Sequence, residues 1–205
     1  HREGIADLCA SVLVSRCAST AEWISVLPRQ IDGKSKERYI SRLLSNKRIK
    51  PLEVMGGFIP ELIEISTING RTAVLMLDQS KISNGFECLM VSLKTGERAI
   101  PVAWEVRETK GAIGFDGQER LLNSVFEMIQ NKDASIFLAA DRLYGTSALI
   151  DWCHKHNWQY RVRLKGNLIF QHEDGDITPD EALKLKMTSL IGVRFNKTDI
   201  TTNIG

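Results

Sequence analysis

Ala73–Asp78 reads A-V-L-M-L-D, and Ile136–Asp141 reads I-F-L-A-A-D. Each is a short apolar run closed by an aspartate. Apolar runs of this length bounded by polar residues predict strands buried on both faces, as in a parallel or mixed sheet. Each aspartate is expected to emerge where its strand surfaces. In open α/β sheets ligands gather outside the carboxyl ends of the strands. Two carboxylates delivered there by neighbouring strands would share one site. A lone Asp after a strand is as often a turn or cap residue bonding nearby backbone N–H groups, so the repeated context is what favours a joint role.

Working outward, Phe86–Leu93 and Ala99–Val106 predict two further strands joined by a tight turn at T-G-E, Thr95–Glu97. With the first strand they form an antiparallel meander. Leu121, Leu122, Val125, Phe126 and Ile129 recur at helical spacing across Gln118–Ile129. That crossover allows the strand before Asp141 to lie parallel to the first. A helix over Thr146–His156 then leads to a fifth strand, Gln159–Lys165. Three strands, helix, strand, helix, strand is the ribonuclease-H-like order, so the fold class expected is α/β with a mixed sheet.

The residues before this core read as helical. Ile5, Ala6, Leu8, Cys9, Val12 and Leu13 predict an amphipathic helix ending near Arg16. Ser19 and Glu22 form an S-x-x-E capping box that opens a second helix, closed by Pro28. Over Ser35–Asn46, Tyr39, Ile40, Leu43 and Leu44 share one side, while Lys34, Arg38 and Arg42 form an i, i+4 row on the other. Lys36 falls towards the apolar side. Pro51, Gly56, Gly57 and Pro60 suggest a linker. The expected organisation is a small all-α domain over 1–66 and a catalytic core over 67–205, with a strand-rich insertion starting near Leu168.

The 205 residues suffice for one sizeable domain with an appendage. The start at His1 and the unfinished T-T-N-I-G end suggest a fragment. No apolar stretch approaches the roughly 18 residues of a membrane span, so no membrane partner is expected. Cys9, Cys17, Cys88 and Cys153 form no C-x-x-C pair, which fits a reducing cytoplasm better than disulfides or structural zinc. Cys153, His154 and His156 lack a second ligand pair for a metal. Net charge is only +2, yet Lys34–Lys50 holds seven basic residues, including Lys47 and Arg48, against one acidic. Such a concentrated segment is the electrostatic footprint of a nucleic-acid contact, although a solvated helix face would look similar.

Magnesium takes oxygen ligands, often one or two carboxylates with retained waters and substrate phosphate. Asp78 and Asp141 would supply them. Two such ions promote in-line phosphoryl displacement, the chemistry of DNA strand cleavage and transfer. A third acid is expected, but none announces itself. Glu181 in T-P-D-E, Thr178–Glu181, reads as a capping-box residue, and nothing in the spacing of Glu105 and Glu108 demands a role. Arg161, Arg163 and Lys165 alternate with Tyr160, Val162 and Leu164, which puts three cations on one face of the fifth strand. They would suit a polyanion, or guard a sheet edge.

Together these segments resemble the DDE transposases of bacterial insertion sequences, of the insertion-sequence family four type. L-D-Q-S (Leu77–Ser80) looks like the first-aspartate strand, E-R-A-I-P-V-A-W-E-V (Glu97–Val106) like the strand that follows, and A-D-R-L-Y-G (Ala140–Gly145) like the second-aspartate motif. Y-R-V-R-L-K-G-N (Tyr160–Asn167) resembles the basic strand after it. G-K-S-K-E-R-Y-I-S-R-L-L (Gly33–Leu44) is similar to the amino-terminal DNA-binding segment.

The resemblance implies a ribonuclease-H-like core using two Mg2+ or Mn2+ ions. It also implies cleavage and joining of double-stranded DNA at transposon ends and target, in a dimer assembled on DNA. The setting would be the bacterial cytoplasm, in association with the nucleoid. Catalytic and metal-binding roles carry over to Asp78 and Asp141. Ser80 stands where Thr is commoner, and the Tyr-Arg-Glu-Lys signature bearing the third acid does not occur before Gly205. A DNA-binding protein that occupies transposon ends without catalysis, and a purely hydrolytic nuclease, are the alternatives.

Overall fold

Position 4 favours glycine, because a Cβ there would lie 2.9 Å from Leu43 Cδ1 and 3.2 Å from the Tyr39 hydroxyl. In the computed structural model, which describes residues 2–130, 133–173, 175–187, 189–195 and 197–204, this close approach seats α1 (Arg2–Ser15) against α3 (Gly33–Leu44); α2 (Thr20–Val26) lies between them in sequence. Gly4 and Ser11 are the buried residues of α1, while Ala6, Cys9, Val12 and Leu13 are exposed. The apolar face expected for this helix is thus corrected. Polar pairing decides the packed side: Asp7 accepts hydrogen bonds from the Tyr39 hydroxyl at 2.7 Å and from Arg29 Nε at 2.6 Å. The Arg29 guanidinium also sits 4.4 Å from the Tyr39 ring centroid, within cation–π range.

Two local expectations change. Ser19 occupies the N-cap of α2 but its side chain makes no cap hydrogen bond. The Asp32 carboxylate does cap α3, accepting from the Ser35 backbone N–H at 3.1 Å and the Ser35 hydroxyl at 2.6 Å. Lys36 turns to the apolar side, where its ammonium donates to the Leu27 carbonyl at 3.2 Å, an oxygen that also accepts the Arg29 backbone N–H at 2.7 Å. The expected linker is also helical, forming α4 (Pro51–Gly56) and α5 (Ile59–Thr67). Pro51 begins α4 and Pro60 lies in the first turn of α5, where a missing N–H costs nothing.

The chain divides into units His1–Val54 and Met55–Gly205, and α5 belongs to the second. There β1 spans Ala73–Ser83 and pairs antiparallel with β2 (Phe86–Thr95) as far as Ser83↔Phe86. The connection is Asn84-Gly85, whose glycine has φ 83°. Left-handed backbone of this kind is what tight hairpins need and what glycine adopts without a Cβ clash. The expected end of the strand at Asp78 is therefore corrected: Asp78 lies inside β1, opposite Met90.

A second two-residue hairpin, Gly96-Glu97, leads to β3 (Arg98–Glu108). Pro101 is tolerated within β3 because this strand lies at the sheet edge, next to a register shift. The bulge leaves both Val102 and Ala103 buried.

Helix α6 (Phe115–Ile129) crosses to β4 (Ile136–Ala140), which runs parallel to β1 from Ala73↔Ile136 to Leu77↔Ala140. Helix α7 (Ser147–Lys155) crosses to β5 (Gln159–Val162), parallel to β4. The order β3-β2-β1-β4-β5 is ribonuclease-H-like, as expected. Pairing of β5 stops before the anticipated Lys165, yet the alternation of exposed Arg161, Arg163 and Lys165 with half-buried Val162 and Leu164 continues. Leu75, Leu77, Leu89, Val91 and Leu138 are buried on one face with Leu121, Leu122 and Val125 of α6. Val74, Met76, Met90, Phe137 and Ala139 on the opposite face are only half-buried.

Beyond Leu168, β6 (Phe170–His172), β7 (Gly175–Ile177), α8 (Pro179–Lys184), β8 (Leu190–Phe195) and β9 (Thr201–Ile204) form an antiparallel sheet in the order β7-β6-β8-β9 with its short helix. Phe170, Ala182, Leu190, Val193 and Phe195 pack on Ile150 of α7. By its composition the stretch Q-H-E-D-G-D (171–176) reads as a turn; its Asp174 lies outside the described residues. No helix among the described residues is long and apolar enough to cross a membrane.

Candidate active site

The register places the two aspartates. Leu77 and Ala140 are the last paired residues of β1 and β4, so Asp78 and Asp141 occupy the next step on adjacent parallel strands. Neighbouring strands lie about 4.8 Å apart, close enough for both carboxylates to bear on one ion. Both residues are exposed. β1 continues beyond this point in its ladder with β2, whereas β4 ends and turns away. The departure of β4 uncovers that edge of β1 beside Asp78.

The turn is built by A-D-R-L-Y-G itself. Asp141 Oδ1 accepts from the Leu143 N–H at 2.8 Å, and the Tyr144 N–H donates to the Asp141 carbonyl at 3.2 Å. Asp141 thus plays the turn role as well, and among the described residues its Oδ2 accepts no hydrogen bond. Tyr144 folds under the turn with 0% exposure, and its hydroxyl finds no hydrogen-bond partner among the described residues. A Cβ on Gly145 would lie 2.6 Å from the Arg163 carbonyl, so only glycine lets the turn settle on β5. Thr146 then caps α7, accepting from the Leu149 N–H at 3.3 Å.

Burial chiefly raises the Tyr144 phenol above its ordinary pKa of 10.0, and the charges of Asp78 and Asp141 raise it further. Both carboxylates therefore act on one buried hydroxyl, which stays protonated. Arg163 continues the same register step onto a third strand: its N–H donates to the Ala140 carbonyl at 3.1 Å, just beyond Ala140↔Val162. Asp78, Asp141 and Arg163 thus stand in a row across β1, β4 and β5.

The other half of the L-D-Q-S motif has a structural task. Gln79 faces the helices, donating to the Gly111 carbonyl at 2.9 Å and accepting from the Ile113 N–H at 2.8 Å. It fastens the loop before α6, a role the sequence reading missed.

The acids weighed as third ligands lie elsewhere. Glu105 pairs opposite Leu89, on the helix side, and is ion-paired with Arg107 and Arg120. Glu108 sits four residues along β3 from Trp104, the residue opposite Met90, or about 13 Å along the strand. Glu181 completes the expected capping box with Thr178, whose hydroxyl and backbone N–H hold its carboxyl below its ordinary pKa. Among the described residues no group of three or more His, Cys, Asp and Glu side chains converges for a metal. Two exposed carboxylates open to water nevertheless match the needs of Mg2+ or Mn2+, which bind through one or two carboxylates and retain waters.

The basic residues are displayed to solvent. Lys34, Arg38 and Arg42 are exposed along α3 and Lys47 and Arg48 just after it, while Arg161, Arg163 and Lys165 are exposed on the second unit. Among the described residues no acidic side chain lies within ion-pair distance of these eight. A cavity of about 720 Å3 lies beside β5, between Leu164, Leu190 and Ile204, and neither aspartate lines it.

No family profile matches the sequence, and no curated protein does. Solved structures do. The Mos1 transposase catalytic domain with Raltegravir and Mg is 12% identical with a TM-score of 0.34, over 56% of this chain and 61% of that one. Its counterpart with Mn is 13% identical, with a TM-score of 0.35 over 56% and 60%. The Mos1 strand transfer complex is 10% identical, with a TM-score of 0.34 over 76% and 56%. The chain thus spans about three-fifths of the chains it matches. Likenesses this shallow decide nothing; strand order and register define the fold.

Proposed function

We propose that the chain is part of a DDE-type transposase of the insertion-sequence family four kind, acting on DNA in the bacterial cytoplasm. The observation that carries this reading is the shared register step of Asp78 and Asp141, next to Arg163 just past the end of the third parallel strand. Asp78 and Asp141 would be the residues that hold a divalent cation, Mg2+ or Mn2+. When bound, such cations supply charge stabilisation and a nucleophile for phosphodiester exchange.

The protein's own groups orient the DNA. Arg163, flanked by Arg161 and Lys165, engages backbone phosphates beside the carboxylates. In the first unit Lys34, Arg38, Arg42, Lys47 and Arg48 bind transposon-end DNA through phosphates. The assembled form on DNA is a dimer. The motif sequence L-D-Q-S, A-D-R-L-Y-G and Y-R-V-R-L-K-G-N supports the family assignment.

The test is titration calorimetry of the full chain with Mn2+, followed by nicking of a labelled duplex in the same buffer. We expect Mn2+ to bind the wild type, the bond to Asp78→Asn and Asp141→Asn to fail, and nicking to require both aspartates. Equal Mn2+ affinity in all three proteins would remove the carboxylates from the chemistry.

A further inference from the structure

Tyr144, in the turn that carries Asp141, has no task in the proposed chemistry. Its side chain is fully buried, yet among the described residues its hydroxyl has no partner. A buried hydroxyl without a hydrogen bond forfeits its hydration with nothing in return, and phenylalanine would fill the same space without that loss. The neighbourhood explains why a polar atom is there. The turn from Asp141 carries Tyr144 beneath it, and Asp78 and Asp141 both bear electrostatically on the phenol. One oxygen of Asp141 is engaged by the Leu143 N–H. Among the described residues the other accepts no hydrogen bond.

We propose that Tyr144 is a positioning residue for the Asp78–Asp141 pair: when a divalent cation occupies the pair, its hydroxyl donates a hydrogen bond to a carboxylate oxygen and fixes that carboxylate's rotamer. The inference rests on the metal-binding reading given above. A phenol suits this role better than a serine or a water. It reaches the site from inside the core, it is rigid, and it cannot compete for the cation while it remains protonated. Hydrogen bonds to ligating carboxylates hold the donor atoms in the geometry the ion requires, and losing such a partner typically weakens metal affinity about 10- to 100-fold. The same hydrogen bond also removes the orphaned hydroxyl, so cation binding and the burial of Tyr144 become coupled.

The experiment compares the full chain with Tyr144→Phe and Asp78→Asn. Thermal unfolding without metal should leave Tyr144→Phe at or above the wild-type Tm, since only an unpartnered hydroxyl is lost. Mn2+ affinity by calorimetry should fall at least about tenfold in Tyr144→Phe, with a smaller Mn2+-induced rise in Tm. Tyr144→Phe that binds Mn2+ as tightly as wild type would overturn the proposal while leaving the metal site standing. Wild type and Asp78→Asn with equal affinity would overturn the metal reading itself, and this inference with it. A second measurement needs no variant. In protein labelled at tyrosine Cζ, Mg2+ should move one of the three tyrosine resonances as the new hydrogen bond forms, and three unmoved resonances would refute it.

Discussion

Asp78 and Asp141 lie one step beyond Leu77↔Ala140, the last paired register of two parallel strands, although one sits inside a long strand and the other in a turn. The shared step is what makes them a pair. Because β1 has β2 to lean on and β4 has only the turn, the two carboxylates are held by different means. Asp78 is fixed by a ladder and Asp141 by hydrogen bonds within A-D-R-L-Y-G. Each therefore fails differently when changed.

Saturation with Mn2+ at a hundred times its Kd should stabilise the wild type by about 2.7 kcal/mol, visible as a rise in Tm. Asp78→Asn and Asp141→Asn should each abolish that rise. Asp141→Asn should leave the metal-free Tm nearly unchanged, because asparagine can still accept the Leu143 N–H bond.

Gly145→Ala should destabilise the fold by about 1–3 kcal/mol, the usual cost of forcing atoms into a filled site. The clash is with the backbone carbonyl of Arg163 at 2.6 Å, which cannot rotate away as a side chain would. Urea unfolding checks the loss; a midpoint equal to wild type would mean that the turn relaxes freely.

Leu138 is fully buried in the middle strand between Asp78 and Arg163. Leu138→Ala should cost about 2–5 kcal/mol, lowering the denaturation midpoint of the second unit. A change under 1 kcal/mol would indicate a core that collapses into the cavity.

Neutralising Lys34, Arg38 and Arg42 together to Gln should weaken duplex binding and flatten its salt dependence. Three lost phosphate contacts would reduce the slope of log K against log salt by about 2.7. The measurement is fluorescence anisotropy across a salt series, and an unchanged slope rules out α3 as a phosphate contact.

Asp7 sets an acid sensitivity in the first unit. Hydrogen bonds from Tyr39 first and Arg29 second hold its carboxyl below the ordinary 3.8. A depressed folded-state pKa gives stability that is present above the unfolded value and lost as pH falls through the folded one. Acid unfolding between about pH 5 and pH 2 should therefore be steeper in wild type than in Asp7→Asn, followed by circular dichroism. Parallel curves would show that Asp7 contributes nothing pH-dependent.

Where sequence reading and structure part, the cause is a competing interaction that periodicity does not register. Asn84-Gly85 carried a hairpin signal that places Asp78 mid-strand, and the apolar run ending at Asp78 concealed it. In α1, hydrophobic spacing pointed to Leu13, which is 75% exposed. The helix is instead turned by Asp7, whose partners Arg29 and Tyr39 stand far along the chain. Gln79 and Tyr144 were visible as letters of motifs, but the bonds of Gln79 to the loop before α6 and the burial of Tyr144 are tertiary facts.

Neither α5 nor the order of β6 to β9 was legible in the sequence, but the strand, helix and turn order from β1 to β5 was written there, because apolar runs and turn residues act through local geometry. So was the candidate pair, since an aspartate after each buried strand is a local pattern. Which acids stay apart, which hydroxyl lies under the pair, and which residue completes the row on β5 were settled only by folding. Those relations depend on register between strands distant in the chain, and register is fixed by the packing of the whole sheet rather than by any segment of it.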